Sequence, residues 1–280
     1  MPFTATIITL NEARHIEACI ASVAWANEIL VVDSGSTDGT VALARKSGAR
    51  VIEHGWPGYA AQKNFAAEQA SHDWILSVDA DERVTPELTA EIKALLATTP
   101  SFAGYRIPRV TFHLGKWIRT TDWYPDYQLR LYDRRRARWK VRKVHESVEV
   151  DGPYGKLTNE LQHYAYRDVA HHRETIERYT TLAAAEMHAS GQSANVLHLT
   201  VHPAVAFIRN YLLRRGFLDG RVGFTISKMN AQYVRLKYAK LRALLRNPGT
   251  PEPRNSGTPE PRPSTSSGRP ESTEGRNRRP

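Results

Sequence analysis

The first hundred residues alternate between short apolar strand patterns and helix patterns, and this alternation restricts the fold more than any other feature of the chain. Strand patterns cover residues 5–10, 28–33, 50–53 and 74–78, and helix patterns cover 12–23, 40–47, 59–70 and 86–96. Strands that alternate with helices in this way predict an α/β fold with a parallel sheet and right-handed crossovers. Ligands of such sheets bind beyond the carboxyl ends of the strands.

The pattern changes after residue 100. Strand-like segments cover 105–114, 128–132, 141–150 and 160–166, and a long helix follows over 167–189. Two basic, aromatic-rich helices are predicted over 203–215 and 218–245, and the remaining residues are Pro, Gly, Ser, Thr, Asn, Glu and Arg. We therefore expect an α/β domain over 1–202, a basic amphipathic helical appendage over 203–245 and a disordered tail over 246–280.

The net charge of +10 is concentrated in the C-terminal third. Residues 203–245 hold nine basic residues and one acid, whereas residues 1–202 are nearly neutral. A nucleic-acid-binding domain would carry its charge on the folded body, so the distribution argues against nucleic acid and favours an anionic membrane surface. The cations expected to meet that surface are Arg209, Arg214, Arg215, Lys237 and Lys240.

The chain has one cysteine, Cys19, and neither a signal-peptide pattern nor an apolar run long enough to span a bilayer. These features predict a protein of the reducing cytoplasm, held peripherally at the cytoplasmic face of the inner membrane. The histidines lack zinc-site spacing, so no structural metal is expected.

Four polar motifs follow the predicted strands or lie on the third helix. They are Thr9-Leu10-Asn11-Glu12, the turn at 33–40, Gln62-Lys63-Asn64, and the pair Asp79 and Asp81. One cleft at the strand ends would receive all four. Carboxylates spaced in this way suit Mg²⁺ or Mn²⁺, although acids at strand ends also serve simply as helix caps. Lys63 equally fits a solvated helix lysine.

The turn at 33–40 resembles a phosphate loop but matches neither the P-loop nor the dinucleotide fingerprint. This argues against a P-loop nucleotidase and a dinucleotide dehydrogenase. A tight turn over 34–40 would leave Asp33 free to accept hydrogen bonds from a base or ribose. Ser36 and Asp38 suit helix capping equally well.

Three of these motifs, Thr9–Glu12, VDSGSTDGT at 32–40 and VDADE at 78–82, closely resemble those of the family 2 glycosyltransferases. That resemblance implies the GT-A fold, a Rossmann-like mostly parallel sheet, and a nucleotide-sugar donor. QKN at 62–64, Trp74, Val144-His145-Glu146 and FLDG at 217–220 resemble a narrower branch, the lipopolysaccharide core β-1,4-glucosyltransferases and related envelope-glycan enzymes. The similarity extends over about residues 4–245.

The resemblance also implies roles for individual residues. Lys63 would reach the diphosphate, and Asp79 and Asp81 would hold the ribose and the metal. The residues placed at the base and ribose are Thr9, Asn11, Glu12 and Asp33.

Inverting sugar transfer needs a general base for the acceptor hydroxyl. Many family members carry this acid in a Glu-Asp dipeptide, which the chain lacks. Glu146 is therefore the first candidate for the general base, and Asp126 is the second. His145 would complete the metal shell or orient Glu146; alternatively, His145 and Glu146 form a polar pair at a sheet edge. The Q-x-x-R-W motif of processive members is absent, which favours a single addition.

The sequence thus predicts an inverting, metal-dependent hexosyltransferase using Mg²⁺ or Mn²⁺. It would move one hexose, with glucose the expected sugar, from a UDP-sugar to a lipopolysaccharide inner-core or related envelope acceptor, an anionic glycolipid or core oligosaccharide. The alternatives are a sugar-nucleotide nucleotidyltransferase, or a basic membrane- or nucleic-acid-binding adaptor without catalysis.

Overall fold

A computed structural model describes residues 1–140 and 147–246 of the 280-residue chain. The strands of the described residues are β1 (Phe3–Thr9), β2 (Glu28–Asp33), β3 (Arg50–Glu53), β4 (Trp74–Asp79), β5 (Glu82–Val84), β6 (Gly104–His113), β7 (Lys116–Ile118), β8 (Asp126–Asp133), β9 (Ala137–Lys140), β10 (Ser147–Val150), β11 (Gly155–Lys156) and β12 (Leu161–His163). The α-helices are α1 (Ile16–Ser22), α2 (Thr40–Lys46), α3 (Tyr59–Gln69), α4 (Pro86–Ala97), α5 (Val169–Ala189), α6 (Val196–Ile208) and α7 (Gly220–Arg246).

The main sheet has the strand order β3-β2-β1-β4-β8-β6-β12-β5. The first four strands are parallel, as predicted, whereas β8 is antiparallel to both β4 and β6. The chain runs outward from β1 to β3 and then returns to the other side of β1 with β4. The strand order therefore reverses between β1 and β4, which is where open α/β sheets bind their ligands.

Helices cover both faces of the parallel half. On one face, Ala5 and Ile7 of β1 pack with residues of α1 and α4, and on the other face, Leu30 and Val32 of β2 pack with Ala66 of α3. Because both faces are covered, β1 is almost entirely buried. The carboxyl ends of these strands are thus left as the accessible edge.

Glu28 ties the opposite, amino-terminal edge of the sheet together. Its carboxylate accepts hydrogen bonds from the Thr4 hydroxyl, the Ser71 amide and hydroxyl, and the Arg50 guanidinium. Burial would raise the pKa of Glu28, but these hydrogen bonds outweigh it and lower the pKa to about 2. The carboxylate joins β1, β2 and β3 to the segment before β4.

The C-terminal half departs from the sequence prediction at two places. The segment predicted as one strand over 141–150 is described only from Ser147, where β10 pairs with β9. The helix predicted to begin at Pro203 begins instead at Val196, because the Asn195 side chain caps the His198 amide and Pro203 lies inside the helix. The domain boundary expected after residue 202 therefore falls within α6.

Helices α5, α6 and α7 pack together, with α6 antiparallel to α7: His198 contacts the Tyr238 ring and Phe207 contacts Phe224. A π-helical segment, Arg209–Leu213, and a short 3₁₀ turn, Gly216–Asp219, connect α6 to α7. Within the described residues, no helix is both long enough and apolar enough to cross a bilayer.

Candidate active site

The carboxyl ends of β1, β2 and β4 bring three of the predicted motifs to one edge. Thr9 ends β1 opposite Asp33, and Asp79 ends β4 opposite Ile8. The Thr9 hydroxyl oxygen is buried and has no hydrogen-bond partner among the described residues. A buried unsatisfied hydroxyl at a strand end is available to a ligand, because leaving it unpaired is unfavourable.

The turn after β2 is held by its own side chains. The Asp33 carboxylate accepts hydrogen bonds from the Gly35 amide (2.9 Å) and from the Ser36 amide and hydroxyl (2.8 and 2.5 Å). The Asp33 carboxylate is therefore buried and shapes the turn, and its predicted contact with a base or ribose stays a prediction. The Asp38 carboxylate accepts a hydrogen bond from the Thr40 amide at 3.0 Å, while Gly39 is the N-cap residue of α2.

Asn11 connects the β1 end to this turn. Its backbone lies in the left-handed region, with φ of 54°, and its backbone N–H donates to the Ser36 hydroxyl at 2.8 Å. Its side-chain oxygen accepts from the Thr37 amide at 2.9 Å. Asn tolerates this backbone region better than most residues because its side chain bonds locally. The two predicted donor-binding motifs therefore form one continuous surface.

Glu12 and Asp81 place two carboxylates near each other beside this surface. Burial raises the pKa of Glu12 to about 8, and the negative charges of Asp81 and Asp38 add to the effect. Asp81 lies 3.2 Å from Nε2 of the buried His163. The concentration of negative charge that disfavours ionisation of Glu12 would favour a bound cation.

Helix α3 supplies three consecutive side chains to three different elements. Gln62 donates to the Ser34 hydroxyl at 3.0 Å, and Asn64 pairs with the backbone of Trp139. Lys63 lies 2.9 Å from the Asp79 carboxylate and over the Trp139 ring, and it is 4% exposed. The solvated-lysine alternative for Lys63 is therefore wrong.

Asp79 is the first carboxylate in a chain of buried alternating charges. Its second oxygen lies 2.5 Å from the Arg130 guanidinium, which also contacts Glu82 at 2.6 Å. Burial would raise the pKa of Asp79, but Arg130 and Lys63 outweigh burial and hold that pKa well below its ordinary range. Asp79 thus orients two cations.

The chain of charges continues to the second candidate base. Arg109 contacts Glu82 at 3.0 Å and donates through Nε to Asp126, also at 3.0 Å. Gln128 donates to the other oxygen of Asp126 at 2.6 Å. Asp126 is therefore oriented by two partners. The first candidate base, Glu146, and the predicted metal ligand His145 lie outside the described residues.

Arg109, Arg130 and His163 were not predicted as site residues, and Glu82 was seen only as part of the VDADE motif, without a role. One signal was present: Arg130 stands between two leucines in a strand pattern, and an arginine buried in a strand requires a charged partner. The identity of that partner depends on pairing between β4 and β8, which are far apart in sequence.

Residues 1–140 and 147–246 contain no group of three or more ligand-type side chains poised to hold a metal ion unaided. Glu12 and Asp81, which interact electrostatically, nevertheless offer the carboxylate oxygens that a divalent cation arriving with a diphosphate takes as ligands. Mg²⁺ in particular is commonly bound by one or two carboxylates together with substrate phosphates. Asp79 is a poorer ligand because cations already contact both of its oxygens.

The doubly covered sheet with acids beyond β4 defines a GT-A glycosyltransferase architecture. The chain belongs to glycosyl transferase family 2, whose family model matches residues 4–150. This membership confirms the family resemblance drawn from the motifs and disfavours the nucleotidyltransferase and adaptor alternatives.

Two relatives align along most of the chain. The lipopolysaccharide core biosynthesis glycosyltransferase LpsC of Rhizobium meliloti (strain 1021) is 34% identical over 86% of this chain and 92% of its own. An uncharacterized glycosyltransferase of Rickettsia felis is 33% identical over 86% of this chain and 90% of its own. Among solved structures, glucosyl-3-phosphoglycerate synthase from Mycobacterium tuberculosis, in complex with Mn²⁺, UDP and glucosyl-3-phosphoglycerate, is 26% identical. That alignment covers 41% of this chain and 44% of the synthase, with a TM-score of 0.34.

Proposed function

We propose that this protein is an inverting, metal-dependent glycosyltransferase that moves one hexose, expected to be glucose, from a UDP-sugar to a lipopolysaccharide inner-core or related envelope acceptor. The observation that carries the donor assignment is the buried contact of Lys63 with Asp79 at the end of β4, where the strand order reverses and Asp81 follows. The similarity to LpsC supports the class of acceptor. We further propose that the enzyme acts in the cytoplasm at the inner membrane.

Donor binding would use the surface formed by the β1 end and the turn after β2. Thr9 offers its unpartnered hydroxyl, and Asn11 and Asp33 keep the turn in shape for the base and ribose. Lys63 would face the diphosphate, where a fixed ammonium in a buried site stabilises charge as it develops on the leaving group. Asp79 positions that ammonium.

Asp81, with Glu12 beside it, would hold Mg²⁺ or Mn²⁺, whose chemistry is to neutralise charge on the leaving diphosphate. Loss of the Glu12 proton would accompany cation binding, because the raised pKa of Glu12 reflects burial and nearby negative charge. Asp79 would stay in position when the cation binds, since Arg130 and Lys63 already contact its carboxylate.

In the transfer step, the acceptor hydroxyl oxygen attacks C1 of the sugar, a carboxylate takes the hydroxyl proton, and UDP leaves from the opposite face. Glu146 remains our first candidate for this base and Asp126 the second. Both carboxylate oxygens of Asp126 already accept hydrogen bonds, one from Arg109 and the other from Gln128, so Asp126 is less available to an acceptor hydroxyl. Glu146→Gln should therefore reduce kcat more than Asp126→Asn.

The function is tested by measuring sugar release and transfer across UDP-, GDP- and ADP-sugars with and without Mn²⁺. We expect turnover with a UDP-hexose and metal. Asp81→Asn should lower the rate by on the order of 10²–10³ or more, because a charge-stabilising group is lost. The matched control is Asp73→Asn, at the other end of β4, which should leave the rate unchanged. Near-normal turnover by Asp81→Asn at saturating Mn²⁺ would contradict the donor site.

A further inference from the structure

The outer face of α6 and of the π-helical segment after it is apolar and uncovered. Its side chains recur at spacings of three or four residues and therefore lie on one helical face. We call this face the apolar stripe; it consists of Leu197, Val201, Val205, Ile208 and Leu212, which are between 46 and 59% exposed. Contiguous exposed apolar surface of this kind marks an interaction site.

The opposite face of α6 is occupied by the rest of the protein. His198 and His202 contact the Tyr238 ring of α7, Ala206 is buried, and the buried Asn210 bonds to Asp122. The helix is thus fixed by its inner face. The apolar stripe is the outward face of a helix that is already packed.

The charges around the apolar stripe favour a negatively charged partner. Residues 191–218 contain no Asp or Glu. Arg215 and Arg221, at the turn that leads into α7, are exposed. The adjacent Leu213 is 74% exposed, so the apolar surface extends to the same turn.

Several cations that the sequence analysis assigned to a membrane surface are engaged within the protein. Arg209 and Arg214 pair with Asp122, and Lys240 bonds to Glu177 and to the hydroxyls of Thr180 and Thr181. The electrostatic contribution of these cations is therefore reduced. The exposed apolar side chains must supply most of any attachment.

We propose that the apolar stripe inserts into the interfacial layer of an anionic lipid bilayer, with Arg215 and Arg221 at the lipid headgroups. With 13 residues, α6 is too short to cross a bilayer, but a helix with one exposed apolar face can lie in the interface and bury that face there. Basic residues at the rim add attraction to anionic lipids.

The position of the apolar stripe gives this attachment a consequence for the acceptor. The Thr121 amide donates to the Arg214 carbonyl at 2.9 Å, and the Asp122 amide donates to Asn210 at 2.8 Å. These residues lie just before Asp126 in the chain. A docked stripe would hold the Asp126 side of the site near the bilayer, where a lipid-linked acceptor is presented; only this last step rests on the proposed function.

The test uses the full-length protein with vesicles of phosphatidylcholine alone or mixed with phosphatidylglycerol. We expect binding to the mixed vesicles. Replacing Val201, Val205 and Leu212 together by Ser should weaken that binding by on the order of tenfold or more, because buried apolar area is lost. The matched control replaces Leu114, Leu182 and Leu245 by Ser; these leucines are also exposed but lie outside the apolar stripe. The control variant should bind the mixed vesicles as the wild type does.

A second readout reports insertion directly. Cys19 is the only cysteine and is buried, so a Leu212→Cys variant can be labelled at one site with an environment-sensitive fluorophore. Its emission should shift to the blue with mixed vesicles, and that of Leu182→Cys should not.

The proposal is overturned if the wild type does not bind mixed vesicles at low salt, or if the triple-serine variant binds them as well as the wild type does. It is also overturned if the triple-serine substitution dissociates a wild-type dimer without affecting vesicle binding, because the apolar stripe would then be a dimer interface. UDP-sugar hydrolysis is measured on the same samples. Because the apolar stripe is outside the donor site, unchanged hydrolysis with failed vesicle binding rejects the membrane inference alone.

Discussion

Replacing Arg130 by Met should strongly destabilise the fold, because Arg130 compensates two buried carboxylates at once. Its guanidinium lies 2.5 Å from Asp79 and 2.6 Å from Glu82, and the side chain is 2% exposed. After the substitution, the charged partners left among residues 1–140 and 147–246 are Lys63 for Asp79 and Arg109 for Glu82. The same change should raise the pKa of Asp79, since Arg130 is the main charge that lowers it.

The expected loss follows from removing one partner of a buried ion pair. Such a change typically lowers the free energy of unfolding by about 3–5 kcal/mol, because a buried charge is left uncompensated. Urea unfolding at pH 7, followed by circular dichroism, measures this loss. The matched control is Arg45→Met, which breaks an exposed pair with Glu53 and should lower the free energy of unfolding by about 0–1 kcal/mol.

The double variant Arg130→Met, Glu82→Met separates charge from packing. The double variant removes the Arg130 guanidinium together with the carboxylate of its partner Glu82, so it should be more stable than Arg130→Met alone. If Arg130→Met loses no more free energy of unfolding than Arg45→Met does, Arg130 does not compensate the two buried carboxylates.

Three further predictions concern stability. Glu28→Gln should lower the free energy of unfolding by about 1–2 kcal/mol at pH 7, after allowance for solvent screening, and should have no effect at pH 2. Because the pKa of Glu28 is lowered, the stabilisation by its carboxylate is present above about pH 4.5 and is lost toward pH 2. Equal effects at both pH values in urea unfolding would contradict this prediction. Burial lowers the pKa of His172 to about 3 and that of the adjacent His113 to about 4, so wild-type stability should fall as pH drops from 6.5 toward 4. His172→Phe should make the melting temperature depend less on pH over this range. The same pH profile of the melting temperature in the variant and the wild type would contradict this prediction. Deleting residues 247–280 should leave the melting temperature unchanged, because that segment has no large apolar residue to bury, and a decrease of several degrees would contradict the sequence interpretation.

The parallel half of the fold was readable from the sequence because each element there carries its own pattern. The predicted bounds of β2 and β3 agree with the structure, and α4 begins at Pro86 after the Thr85 cap. In contrast, the start of α6 was misplaced because Pro203 suggests a first helical turn. The Asn195 cap that begins the helix was the overlooked signal.

The site was predictable to a similar extent. The sequence placed Asp33, Asp79 and Lys63 together because strand ends converge, but it could not show that Asp33 bonds to its own turn. It also could not show that Lys63 is buried against Asp79. These contacts depend on side-chain orientation and on strand pairing distant in sequence, which residue patterns do not encode.

The proposed function requires that a UDP-sugar and its metal bind beyond β1 and β4, with Asp81 among the protein ligands of the metal. Anomalous diffraction from crystals soaked with UDP and Mn²⁺ tests this directly. We predict one strong manganese peak within coordination distance of the Asp81 carboxylate, with the diphosphate beside Lys63. A manganese peak away from Asp81, or UDP bound elsewhere on the molecule, would contradict the account.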